Sequence, residues 1–163
     1  MKLLLERVRN TRDCVVLPPS GLPQLSRQHS LPEDLKEFYT DCGGVKFFSG
    51  SNYSMEIVSP DRFVLSNPEV LPEGWERDVP DNDISNDWYI VAEAGVEQRL
   101  SIDLGEKRVG RCYDSFWDIH ASPGESRVVA RSFSDLINSI FSCGGNYWFW
   151  LADDFLPLGD AYD

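Results

Sequence analysis

The chain has 163 residues, 42% of them hydrophobic, and its 15 Lys and Arg against 27 Asp and Glu leave a formal charge of −12. That length suits one domain burying roughly 70% of its unfolded surface, with no disulfide or metal needed to hold it. The acidity excludes nucleic acid and anionic membranes as partners, because phosphate recognition needs clustered Lys and Arg; it favours a basic protein, and it equally serves plain solubility.

Residues 1–12 carry four basic groups and one acid among Leu3, Leu4, Leu5 and Val8, the pattern of a short amphipathic helix with a solvated charged side. Three leucines are too few for the core of an export signal, and no run approaches the ~18 apolar residues of a membrane span, so the expected compartment is the cytoplasm. Cys14, Cys42, Cys112 and Cys143 are scattered, form no C-x-x-C pair, and read as reduced thiols acting as small apolar side chains. Pro18, Pro19, Gly21 and Pro23 mark a connector.

The segment Ser30–Gly44, SLPEDLKEFYTDCGG, reads as a helix with both ends written in. Ser30 and Glu33 have capping-box spacing, and Pro32 sits in the first turn. Leu31, Leu35, Phe38, Tyr39 and Cys42 share one face, and Gly43-Gly44 suit a left-handed stop. Strands are expected at Val45–Phe48 and Ser54–Val58, and a short helix from Ser59-Pro60-Asp61 to about Leu65. Residues 67–87 read as loop. There Glu69, Glu73, Glu76, Asp78, Asp81, Asp83 and Asp87 face only Arg77.

Trp88–Glu93 and Gln98–Leu104 make the clearest hairpin around Ala94-Gly95-Val96-Glu97; Leu100, Ile102 and Leu104 alternate with Ser101 and Asp103. Strands at about Val109–Phe116 and Val128–Ala130 follow. Ser132 then caps a helix whose Phe133, Leu136, Ile137, Ile140 and Phe141 recur at helical spacing up to Gly144-Gly145. Tyr147, Trp148, Phe149 and Trp150 open a tail that ends acidic, and their simplest role is to dock it on the core. Hairpins flanked by helices, without a β-α-β rhythm, imply an α+β fold with a largely antiparallel sheet.

No arrangement of residues specifies catalysis. His29 and His120 lack metal-ligand spacing, and His29, just before the helix, is expected to be exposed. Cys112 and His120 could be set together as nucleophile and base, but Cys112 reads as strand packing. Residues 81–87 alternate oxygen side chains as a calcium loop does, yet Asn86 replaces the turn glycine and Ala92 the bidentate glutamate. Phosphate-binding glycine loops and a nucleophile elbow are missing from the sequence. The expectation is a non-enzyme with no cofactor and no metal.

The ordered set of motifs is LPEDLKEF at 31–38 followed by Gly43-Gly44, the strands WYIVAEAG and RLSIDL, then GRCYDSF and VVARSFSDLINSIF. It resembles the SUKH superfamily, the Smi/Knr-like proteins, over about residues 30–141. Residues 1–29 would be an N-terminal extension and 146–163 an aromatic and acidic tail on the same single domain, 1–163. Cys42 stands where members commonly carry Asn before the paired glycines. The resemblance implies a curved antiparallel sheet packed by helices, and a domain that binds proteins without catalysis. Bacterial members act as immunity proteins against toxins, fungal ones as regulatory scaffolds. The expectation is an immunity protein whose acids cover a basic toxin such as a nuclease. The residues expected to do so are Glu69, Glu73, Trp75, Glu76, Asp78, Asp81, Asp83 and Asp87, with Asp153 and Asp154 as a second patch. A scaffold for an endogenous partner and a small-ligand domain are the rival expectations.

Overall fold

The computed structural model describes residues 1–95 and 97–163. Position 96, in the turn of the expected hairpin, lies outside the described residues. One antiparallel sheet runs in chain order through β1 (Val15–Val16), β2 (Val45–Phe47), β3 (Met55–Ile57), β4 (Trp88–Ala94), β5 (Gln98–Asp103), β6 (Cys112–Asp114) and β7 (Val128–Ala130). The helices are α1 (Lys2–Arg9), α2 (Glu33–Asp41), α3 (Ser66–Val70) and α4 (Phe133–Ser142). Every strand pairs with the next, so the single α+β domain is a curved meander, the class implied by the hairpin spacing. The β4–β5 register shifts between Ile90 and Ala92, an irregularity of the kind that bends the long central hairpin.

Cross-strand partners share a face of a sheet. Tyr89, Ile102, Cys112 and Ala130 follow one another by register and belong to the main core, which Phe38 and Tyr39 of α2 and Phe133, Leu136, Ile137 and Ile140 of α4 complete. Trp88, Asp103, Ser101, Tyr113 and Val128 lie on the other face. The alternation along β5 implies a polar, half-buried strand, yet Ser101 and Asp103 are fully buried. Loops cover that second face.

α4 begins and ends as its sequence implies: the Asp135 N–H donates to Ser132 Oγ at 3.0 Å, and Gly144 and Gly145 adopt φ of +62° and +74°. α2 does not. Its N-cap position is Pro32, extended at φ −56° and ψ 149°, and Ser30 makes no capping bond. Proline disfavours helical geometry in the residue before it, so Leu31 cannot be the first helical residue that a Ser30 cap requires. Asp34 takes over: its Oδ1 accepts from Leu35 N–H at 2.9 Å and its Oδ2 from Ser134 N–H at 2.7 Å, tying α2 to the first turn of α4. The C-terminal stop differs too, since Cys42 is extended and only Gly44 has positive φ, +130°. Gly43 is required for space, because a Cβ there would stand 2.3 Å from the Pro18 carbonyl oxygen.

Three other expectations are corrected. Residues 60–62 form a turn rather than a helix reaching Leu65; Val64 O accepts from Ile90 N–H at 2.9 Å and Leu65 bridges Tyr89, drawing this segment onto β4. Helix α3 starts only after it. The strand expected over Val109–Phe116 shortens to Cys112–Asp114, since residues 105–110 turn back on Asp103. The short strand β1 lies before the proline connector, where no strand is expected.

The tail docks at two places. Trp150 is fully buried, with Trp148, Phe149 and Phe155 packed around it. Residues 158–161 then run beside β7: Val128 N–H donates to Gly159 O, Leu158 N–H to Val128 O, and Ala161 N–H to Ser126 O. The sheet edge that would otherwise invite another strand is covered.

Candidate protein-binding face

The acidic segment 67–87 is a folded cover on the second face of the sheet. It contains most of α3 and 3₁₀ turns at Trp75–Arg77 and Ile84–Asp87. Its start is held by buried hydroxyls: Ser66 Oγ lies 2.7 Å from Ser101 Oγ, to which Ser115 Oγ donates at 2.6 Å. Beside them Asn67 Nδ2 donates to Ser85 Oγ at 3.1 Å, and Asn67 Oδ1 lies 2.9 Å from His120 Nε2. Because the amide nitrogen is committed to Ser85, Asn67 presents its oxygen to His120, so Nε2 carries the proton. Nδ1 is then a bare acceptor. It is buried and has no hydrogen-bond partner among the described residues. Burial pushes the His120 imidazole down to about 4, so the ring is neutral near pH 7.

Beneath this layer Asp103 anchors the fold. Trp88 Nε1, Gly105 N–H, Arg108 Nε and Tyr113 Oη all donate to its carboxylate, at 2.7–3.1 Å. Burial raises its pKa against the pull of the Gly105 N–H and the Arg108 guanidinium.

The ten residues singled out in the sequence separate into unlike groups. Asp87 is engaged: His29 Nε2 lies 3.1 Å from its Oδ1 while His29 Nδ1 lies 3.2 Å from Tyr89 Oη. His29 is therefore a part-buried strut, and the expectation of an exposed ring is corrected. Asp83 caps the second 3₁₀ turn by accepting from Ser85 N–H at 2.8 Å, and Tyr162 Oη from the tail donates to the same Oδ1 at 3.0 Å. Glu69 lies 3.9 Å from Arg62, which bonds Glu93 at 2.9 Å, and Glu76 lies 3.7 Å from Arg77. Glu73, Asp78 and Asp81 are exposed and make no ion pair among the described residues. Trp75 holds its indole 62% exposed next to them. Asp153 and Asp154 are exposed after the 3₁₀ turn Phe149–Leu151, with no described bond to the 67–87 cover.

Trp75, Asp78, Asp83 and His120 line one hollow of about 250 Å³, walled also by Leu71, Val79, Pro80 and Ala121. Sequence reasoning placed the first three on one loop but left out His120, Asn67 and Tyr162, because no short-range pattern joins them. Cys112 and His120 are not a nucleophile and its base. The Cys112 thiol points its hydrogen bonds at Gly110 O and Ser132 O, and burial raises its pKa well above the ordinary range. Among the described residues no group of three or more His, Cys, Asp or Glu is set to hold a metal ion, and no helix is long and apolar enough to cross a membrane.

A profile of the SMI1 / KNR4 family (SUKH-1) matches residues 25–139. The chain is 43% identical over 161 residues to a protein of Bacillus subtilis (strain 168) named "Immunity protein YokJ", an alignment that covers 99% of this chain and 94% of that relative. No solved structure matches it. The motifs that suggested the resemblance fall on α2, β4 to β7 and α4, inside or overlapping the matched region, and the chain belongs to the SMI1 / KNR4 family (SUKH-1).

Proposed function

We propose that this chain is an immunity protein: in the cytoplasm it binds a cognate toxin domain and blocks it, and it works by covering rather than by catalysis. The observation that carries the reading is the near full-length 43% identity to a protein named for immunity. The acidic face supports it physically. Glu73, Asp78 and Asp81 project free carboxylates beside an exposed tryptophan, on a cover tied to the sheet through Ser66, to the His120 loop through Asn67 and to the C-terminal tail through Asp83. Free acids steer a basic partner on approach, and a large exposed aromatic side chain supplies the contact area that binding hot spots use. A toxin with a cationic substrate groove, as nucleases have, is the partner this face fits. The rigid footing of the loop limits the ordering cost of binding.

The test is protection. Cells expressing the cognate toxin domain should survive only when this chain is co-expressed, and the two purified proteins should form a stable complex in sedimentation. Replacing Glu73, Asp78 and Asp81 by Lys should slow association by tenfold or more at low salt and flatten its salt dependence. A complex whose on-rate ignores both changes places the contact elsewhere. Absence of any complex and of protection overturns the immunity reading.

A further inference from the structure

We infer that the hollow bounded by Trp75, Asp78, Asp83 and His120 seats one arginine side chain of the partner protein. This rests on the protein-binding reading above and names the chemistry of its central contact. At about 250 Å³ the hollow is smaller than the roughly 300–1,000 Å³ of sites that enclose drug-sized ligands, and it suits a single side chain. Its charge is of one sign: Asp78 and Asp83 are among its lining residues and no Lys or Arg is. Both described bonds to the Asp83 carboxylate go to Oδ1, which leaves Oδ2 to accept from an incoming donor.

His120 supplies the independent observation. The residue is 3% exposed, lines the hollow, and keeps an unpartnered Nδ1 lone pair because Asn67 fixes the proton on Nε2. A buried acceptor without a donor is costly, and the binding of an N–H group relieves that cost. A carboxylate or phosphate has no proton to give and would meet two acids. A guanidinium has five N–H donors in a planar fork, enough for Nδ1 and Asp83 Oδ2 together, and its face stacks on an indole such as that of Trp75. Lysine carries the charge but neither the fork nor the plane.

The experiment titrates N-acetyl-arginine methylamide into the full chain labelled with nitrogen-15. Expected is saturable binding in the millimolar range, with shifts at the Trp75 indole and a move of the His120 Nδ1 resonance from the bare lone-pair position towards the hydrogen-bonded one. The matching lysine and citrulline compounds should bind at least fivefold more weakly. Trp75 and Asp78 are exposed, so Trp75→Ala and Asp78→Asn keep the fold; each should weaken arginine binding at least fivefold, and weaken binding to the cognate toxin as well. Shifts spread over all the acids without saturation, or equal binding of citrulline, overturn the inference. If cells are protected while the arginine probe leaves His120 and Trp75 unmoved, the hollow is not the contact and the immunity reading survives. If the probe saturates there and no toxin complex forms, the arginine seat stands and the immunity reading falls.

Discussion

His120 is the residue whose surroundings constrain it most. Asn67 holds its Nε2, Trp88 meets its ring edge-on at 5.5 Å, and burial outweighs the opposing pull of Asp83 to bring its pKa from 6.5 to about 4. A histidine held neutral in the fold takes up a proton only when the chain unfolds. Between pH 6.5 and pH 4 the unfolded state therefore binds more protons, and stability falls as the pH drops through that window. The full effect is about 3 kcal/mol for a shift of this size. Asp103 and Asp114, raised by burial, act in the opposite sense. Urea unfolding of the native chain and of His120→Gln at pH 7, 5 and 4 separates the terms, since the two carboxyls are common to both. The native chain should lose up to about 3 kcal/mol more than the variant by pH 4; parallel losses would mean that the ring titrates normally.

Among the elements, the junction of α2 and α4 carries the sharpest contrast between two serines. Ser132 caps α4, whereas Ser30 lies outside α2 and bonds nothing there. Ser132→Ala should cost about 1 kcal/mol and Ser30→Ala close to nothing, read as shifts in the urea midpoint at constant slope. Asp34→Ala removes the acceptor of both Leu35 N–H and Ser134 N–H, so it should cost more than Ser132→Ala, about 1–3 kcal/mol. Because Asp34 and Ser132 serve the same first turn of α4, the double variant should depart from additivity. Equal losses from Ser30→Ala and Ser132→Ala would restore the capping box that the spacing of residues 30 and 33 suggests.

For the molecule as a whole, the tail closes both the sheet edge and the smaller apolar cluster. Residues 158–161 hydrogen-bond beside β7, and Ala161 and Tyr162 pack with Trp88, Tyr113 and Val128. Removal of residues 157–163 should cost about 2–3 kcal/mol, through the lost burial of Tyr162 and its neighbours. It should also expose the β7 edge, seen as self-association that rises with concentration in sedimentation. A truncated chain that stays monomeric and keeps its unfolding midpoint would mean that the tail merely rests on the surface. The same deletion takes Tyr162 from Asp83, so it should loosen the acidic cover and weaken partner binding.

Three helices, the central hairpin and the antiparallel class were legible because their signals are local. Helix faces repeat at three and four residues, strands at two, and caps reach three, so Leu35, Phe38 and Tyr39 or Ser132 and Asp135 carry their instructions in adjacent text. The total charge was legible for the same reason: it is a sum over residues. Which carboxylates are free was not. Asp87 is taken up by His29 across 58 positions, Asp83 by Tyr162 across 79, and Asn67 aligns His120 across 53, so each pairing exists only once the sheet has brought distant segments together. Packing also buried the polar side of β5, turned a supposed loop into a fixed cover, and left one imidazole lone pair without a donor beside an acidic hollow. Local preference acts through bonded neighbours, whereas a binding face is assembled by contacts whose partners the chain brings near only in the folded state.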